Sequence, residues 1–296
     1  MAARGRPSEA GPAEHHRPCP CATQGWTSKG AFRACRRGGL TPEVFPGVRI
    51  DPESGLAVHA IYLDAGGLSG DRITVEGEEA RHALRVKRVR EGDVVRVLDG
   101  CGGVAECRVI GAGRSLELEV IERRAAAPTA PAVHVYSATP KGPRLDQMID
   151  ELSQAGAASW RPLGTKLGVV DPGEGKTERA RRIAREASKQ SQRAWVMRIE
   201  AKAALQEALS QAEGEAIIVA DGSGAPYRAT GAAAVRLLVG PEGGWTEAER
   251  AAARAAGAVF ASFGPHVMRI ETAAVVGTGV ILSAEAREGS VKPGWT

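Results

Sequence analysis

Apolar and polar positions change rhythm twice along the chain. Through residues 1–57 the apolar positions follow neither a period of 2 nor one of 3.6, and seven prolines interrupt them. Such a stretch buries too little surface to offset the entropy of ordering it, so a disordered tail is expected there. It also lacks the continuous apolar stretch of a secretory signal. The alternative is a mis-assigned start. No Met lies between Met1 and Met148, so a start near Val58 requires a non-ATG initiator.

Between 58 and 124 short β-rich runs take over, at 61–63, 72–75, 94–98, 104–110 and 115–121. Glycine turns at 66–67, 91–93, 100–103 and 111–113 separate them, and one short helix fits at 77–84. This pattern predicts a small β-barrel-like domain. An alanine- and proline-rich linker follows at 125–131. From 132 to 296 the rhythm alternates between strand and helix. Strands are expected at 133–138, 159–162, 196–199, 216–220, 235–239 and 258–262. Helices are expected at 144–155, 177–193, 205–212, 246–256 and 272–285. The fold class is therefore α/β, a parallel sheet with helices on both faces.

Composition narrows the function classes. The chain has 296 residues, 43% of them hydrophobic, which suits one large domain or two small ones with enough apolar material for a core. Its formal net charge of +4 hints at a polyanionic partner. The hint needs localising. Residues 1–57 hold eight Lys/Arg against five Asp/Glu, so the rest of the chain is nearly neutral. No apolar run approaches the ~18 residues of a membrane-spanning helix, so no membrane partner is expected. The five cysteines, Cys19, Cys21, Cys35, Cys101 and Cys107, form no Cys-x-x-Cys pair. An odd, sparse set argues against a disulfide framework and against zinc. No metal is expected, and a reducing cytoplasm is the expected location.

The glycine-rich turns hold the chemistry. Residues 173–177 look like the end of a phosphate loop, but Val170 stands where that loop needs Gly. The Gly-x-Gly pairs at 111/113, 222/224 and 277/279 lack the third glycine of a dinucleotide fingerprint. What remains is the run Leu237-Leu238-Val239-Gly240-Pro241-Glu242-Gly243-Gly244-Trp245-Thr246. A plain strand–turn–helix joint needs one glycine. Three glycines and a proline in five residues point to a cradle in which a ligand approaches the backbone closely. Thr246 with Glu249 forms a capping box for the next helix. A second turn, Phe263-Gly264-Pro265-His266-Val267-Met268, leads to Arg269 and Glu271 at a helix entrance, where free backbone groups converge. By itself this turn is equally a cap with a surface ion pair.

Basic residues gather in two places. The segment 176–193 carries seven Lys/Arg against Glu178 and Glu186. On a helix, Arg182, Arg185, Lys189 and Arg193 fall on one stripe opposite Ile183, Ala184 and Ala187. A one-signed stripe opposite an apolar face suits phosphate contact. Arg81, Arg85, Lys87, Arg88 and Arg90 form a second cluster in the β-rich part.

These features together resemble a family. Leu-Val-Gly-Pro-Glu-Gly-Gly at 238–244 and Phe-Gly-Pro-His-Val-Met-Arg-Ile-Glu-Thr-Ala at 263–273 are similar to the signature of the RsmE-type 16S ribosomal RNA uracil-N3 methyltransferases, in the SPOUT superfamily. Residues 78–93 resemble that family's PUA-like, RNA-binding N-terminal domain. Lys141 with Asp146, and Glu186-Ala187 followed by Gln190 and Arg193, match its middle motifs. The chain departs from the pattern at Glu151, Gln154 and His266.

The resemblance implies a trefoil-knotted sheet with a small PUA-like β-barrel domain, a homodimer, and S-adenosylmethionine as methyl donor. The glycine-rich turns would hold that cofactor through Val239, Gly240, Pro241, Gly243, Gly264, Val267 and Met268. The substrate would be 16S ribosomal RNA or the 30S subunit, gripped by Arg81, Arg85, Lys87, Arg88, Arg182, Arg185, Lys189 and Arg193. Transfer to uracil N3 needs an anionic N3, favoured by a cation near the uracil oxygens. Arg269 is the first candidate for that cation and Arg193 the second, with Glu271 or Glu242 as proton acceptor or as a partner that positions Arg269. Two other readings stay open: transfer to another RNA base or ribose, and a non-catalytic RNA-binding assembly factor.

Overall fold

The computed structural model describes residues 59–63, 67–210 and 213–288. The tail expected over 1–57, and the question of the start, lie outside the described residues.

The first sheet has five strands: β1 (His59–Tyr62), β2 (Arg72–Val75), β3 (Val94–Leu98), β4 (Gly103–Ala112) and β5 (Leu116–Ala125). Their order is β1-β3-β4-β5-β2, with β1 parallel to β3 and the other ladders antiparallel. Alternation drives it. Leu116 and Leu118 point inward while Glu117 and Glu119 point out, and β2 repeats the pattern with Ile73 and Val75. Two bulges between β4 and β5 help the sheet curl around its apolar face. Among the described residues no ladder joins β1 to β2, so the curl stays open. Helix α1 (Gly77–Arg85) adds Ala80 and Ala83 to this core. Cys107 is one of its fully buried members, and burial pushes its thiol up to about 11. It serves as packing.

The second sheet is entirely parallel. Its strands are β6 (Ala132–Ser137), β7 (Ser159–Gly164), β8 (Arg198–Ile199), β9 (Ala203–Ala204), β10 (Glu215–Pro226), β11 (Ala234–Val239) and β12 (Val259–Ser262). The order is β12-β10-β11-β6-β7-β8, and β9 also pairs with β7. Helices α2 (Arg144–Ala155), α3 (Glu174–Gln190) and α6 (Ile270–Glu288) cover one face. Helices α4 (Leu205–Ala208) and α5 (Glu247–Ala255) cover the other. Alternate residues serve the two sides. Val133, Val135, Val235 and Leu237 meet the three-helix face, while Tyr136 and Leu238 meet the other. Trp160 lies fully buried at the centre, and its indole N–H donates to Ser137 Oγ at 2.9 Å.

Three differences from the sequence expectation have physical reasons. Helix α3 starts at Glu174 and stops at Gln190, so Arg193 is not on its basic stripe. Gln192 adopts a left-handed backbone with φ of 54° and turns the chain back. Strand β10 runs on past Ala220. Ala261 of β12 pairs first with Ala220 and then with Ala225, and residues 221–224 project as an excursion. Of the linker expected at 125–131, Ala125 still belongs to β5, and Ala126 donates its N–H to Gly102 O at 2.7 Å.

Candidate functional site

Parallel strands offer ligand sites beyond their carboxyl ends. Here β6, β10, β11 and β12 all end on one side, and four chain segments leave them: 138–143, the 221–224 excursion, 240–246 and 263–269.

The first glycine-rich turn leaves β11 at buried Val239. Pro241 is buried, while Glu242 and Gly243 are exposed. Gly244 has φ of +72°, a conformation that requires glycine, and its N–H donates to Pro241 O at 2.8 Å. The Trp245 indole lies over Gly240. A Cβ at Gly240 would stand 2.8 Å from its ring. The indole N–H reaches Ala220 O at 3.4 Å, tying this turn to the end of β10. Thr246 then caps α5 through the expected capping box. Glu249 does more than close that box. Its Oε1 accepts the Lys166 N–H at 2.8 Å and so holds the segment leaving β7. Burial opposes its ionisation, yet hydrogen bonds from Lys166 and Thr246 prevail and lower its pKa.

The second turn leaves β12 with Phe263 stacked on Tyr227, ring centroids 5.6 Å apart. Gly264, Pro265, His266 and Val267 are exposed, Met268 is half-buried, and Val267 is 101% exposed. A groove of about 570 Å³ lies between 222–227 and 262–265. Arg269 is exposed and makes no ion pair among the described residues. Its carbonyl accepts the Ala273 N–H at 2.8 Å, which closes the first turn of α6. Helix α6 begins two residues earlier than expected, so Glu271 lies inside that turn. Glu271 is only 7% exposed. Its Oε1 lies 3.6 Å from Arg144 Nη1, and its Oε2 has no hydrogen-bond partner.

Arg193 lies elsewhere. Its guanidinium donates to the carbonyls of Ser153 and, at 3.0 Å, Ala157, at the carboxyl end of α2. Burial lowers its pKa, with the Tyr62 hydroxyl opposing. A cation there satisfies the last carbonyls of α2. Arg144 and Glu271 meet at the other end of that helix. Twelve residues of α-helix separate the two ends by about 18 Å. The structure therefore does not bring Arg193 to the glycine-rich turns. Arg193, the second candidate for the cation near the uracil oxygens, thus lies apart from Arg269, the first.

The basic clusters divide similarly. Arg182 is exposed and Arg185 is half-buried. Lys189 is held by Glu79 of α1 and, at 2.9 Å, by Glu186. It joins α3 to α1 and so brings Arg81 and Arg85, both exposed, beside the end of α3. Arg88 is exposed too, while Lys87 donates to Ala60 O at 3.2 Å. Among the described residues no group of three His, Cys, Asp or Glu side chains could hold a metal, and no helix is long and apolar enough to cross a membrane.

Sequence reasoning missed Arg144, the cover that Trp245 gives Gly240, and the second bond of Glu249. Arg144 sits between Lys141 and Asp146, the residues that match the family's middle motif.

Comparison with known proteins shows the family and the fold. A family model described as the RNA methyltransferase domain matches residues 128–282. A second, the RNA methyltransferase PUA domain, matches 75–121. The ribosomal RNA small subunit methyltransferase E of Mycobacterium bovis is 31% identical over 234 residues, covering 74% of this chain and 89% of that protein. The crystal structure of a probable rRNA-methyltransferase from Porphyromonas gingivalis is 26% identical, with a TM-score of 0.68, over 78% of this chain and 99% of that one. The fold is also shared with the same enzyme from Neisseria gonorrhoeae bound to S-adenosyl methionine, at 23% identity and a TM-score of 0.67, over 76% of this chain and 96% of that one. The chain belongs to the ribosomal RNA small subunit methyltransferase E family of RNA methyltransferases.

Proposed function

We propose that this chain transfers a methyl group from S-adenosylmethionine to N3 of one uridine in the 16S ribosomal RNA of the small subunit. The observation that carries the reading is that two exposed glycine-rich turns, and an arginine, Arg269, that makes no ion pair among the described residues, leave the carboxyl ends of strands of one parallel sheet.

The residues fit the cofactor. The groove of about 570 Å³ lies within the usual range of small-molecule sites. A Cβ at Gly264 would meet only the far end of Met268, at 3.5 Å, so the backbone there is open to a ligand. Gly264, Val267 and Met268 would offer main-chain groups to an adenine edge, with Val239, Gly240, Pro241 and Gly243 opposite. When bound, S-adenosylmethionine supplies an electrophilic methyl group.

The chain's own residues do the rest. Arg269 is placed to stabilise negative charge on the uracil oxygens as N3 loses its proton. Glu271 anchors the turn that carries Arg269. Glu242, exposed on the opposite turn, is the available proton acceptor. Arg81, Arg85 and Arg88 on one side and Arg182 and Arg185 on the other would bind phosphates, with Lys87 and Lys189 bracing them from within the protein.

On this reading 58–124 is the RNA-binding domain and 132–296 the methyltransferase domain, trefoil-knotted at the two turns. The reading includes a homodimer, and α6 supports it. From Thr272 to Ala284 that helix carries only apolar, small or hydroxyl-bearing residues, and Thr272, Val276, Gly279 and Ser283 form a low outer stripe suited to a second copy. A cytoplasmic location is part of this reading, supported by the ribosomal RNA substrate named for its relatives.

The test is mass spectrometry of 16S RNA from a strain lacking this gene. One methyluridine should be missing, restored by the wild-type chain and not by Arg269→Ala. An unchanged set of modified nucleotides would refute the reading.

A further inference from the structure

The Arg144–Glu271 contact joins two elements distant in sequence at the point where the second turn ends. Glu271 is in the first turn of α6, and its side chain is 91% buried. A carboxylate there favours the helix dipole. That local effect does not require a cation from another helix. Arg144 nevertheless reaches it from the first turn of α2, with Nη1 3.6 Å from Oε1. Arg144 is itself steered, because its Nε donates to the carbonyl of Lys141 at 3.4 Å. The chain thus runs from the end of β6 through Lys141 and Arg144 to Glu271, and two residues further back to Arg269.

The other carboxylate oxygen, Oε2, is buried without a hydrogen-bond partner. A buried charge satisfied on one side only depends strongly on the partner it has. Nothing comparable holds Arg269, whose side chain is exposed. Between Phe263, which stacks on Tyr227, and Ile270, which is 3% exposed, the residues of the turn are exposed or half-buried. The position of Arg269 is therefore set mainly by the anchored start of α6.

We propose that Arg144 is a positioning residue for methyl transfer: it acts through Glu271 to fix the end of the 263–269 segment, and with it Arg269. The proposal rests on the methyltransferase reading above. It differs from a purely stabilising role in what it predicts. A stabilising pair would change melting temperature alone, whereas a positioning pair changes kcat and the local opening of one segment.

The experiment compares the full-length wild type with Arg144→Gln, Arg144→Lys and Glu271→Gln. Arg144 is one-third exposed, so its variants should fold. Two readouts are needed. Amide hydrogen exchange without cofactor should rise about tenfold in 267–273 of Arg144→Gln and stay unchanged in the sheet. At saturating S-adenosylmethionine and RNA, kcat should fall by about tenfold to a hundredfold, as misplacing a catalytic group does. Arg144→Lys should recover most of both. Adding Arg144→Gln to Glu271→Gln should cost little more, because the two act as one unit. Unchanged exchange in that segment would overturn the proposal, as would full kcat in Arg144→Gln despite faster exchange. An inactive wild type would instead be a failure of the methyltransferase reading, and it would remove the transfer that Arg144 is proposed to serve.

Discussion

Gly240 and Gly264 look alike in sequence, each opening a Gly-Pro turn after a strand, but their surroundings differ. A Cβ at Gly240 would press into the Trp245 indole at 2.8 Å, whereas one at Gly264 finds ordinary contact with Met268 at 3.5 Å. Gly240→Ala should therefore lower both thermal stability and cofactor affinity, since the indole must move. Gly264→Ala should leave the melting temperature nearly unchanged and weaken S-adenosylmethionine binding by about tenfold or more, because its new methyl group faces the proposed ligand. Calorimetry and a melting curve on the two variants separate these outcomes. Equal affinity in Gly264→Ala and wild type would remove that turn from the site.

Elements show where local chemistry suffices. Thr246 and Glu249 stand three apart before an apolar run, and the capping box forms as the sequence reading expected. An ordinary cap is worth about 1 kcal/mol, and Thr246→Ala should cost more than that by chemical denaturation, because Glu249 also holds Lys166. The alternation of β5 and the strand–helix rhythm after 132 were legible for the same reason: each residue's environment follows from its neighbours. The end of α3 was not. Apolar spacing continues smoothly through Arg193, and nothing in it announces a left-handed Gln192. The Arg144–Glu271 pair spans 127 positions and exists only because α2 and α6 pack side by side on β6. The two glycine-rich turns, the Thr246–Glu249 cap and Glu271 could thus be found in the sequence, while Arg144 and the cover that Trp245 gives Gly240 could not.

At the scale of the molecule, charge buried away from the site sets how the fold responds to acid. His134 on β6 bonds Ser159 Oγ at 2.8 Å, and its ring is pushed down to about 4, first by burial and then by the nearby Arg198. Glu215, Arg236 and Arg161 complete its surroundings, Glu215 raising the value and the two arginines lowering it. The unfolded chain protonates this ring near 6.5 and the folded one only near 4, so unfolding takes up a proton between those values. Stability should be full above pH 6.5 and fall as pH drops toward 4, by up to about 3 kcal/mol from this group. His134→Gln should flatten that window in urea titrations. Asp221, Glu249 and Glu285 all have lowered values despite burial, because hydrogen bonds hold them ionised. Their contribution is present above the ordinary carboxylate range and is lost at more acid pH than that of His134.

Trp245 gives the molecule an optical property. Its indole is half-buried against Gly240, at the mouth of the proposed cofactor cradle. A ligand bound at that turn would alter the surroundings of the indole and dim its emission. Trp160 and Trp195 lie apart, one sealed in the core and the other bonded to Ala126 O at 2.8 Å, and should contribute a steady background. Titration with S-adenosylmethionine should therefore quench intrinsic fluorescence in the wild type and not in Trp245→Phe. The chain would then report its own ligand occupancy without a label.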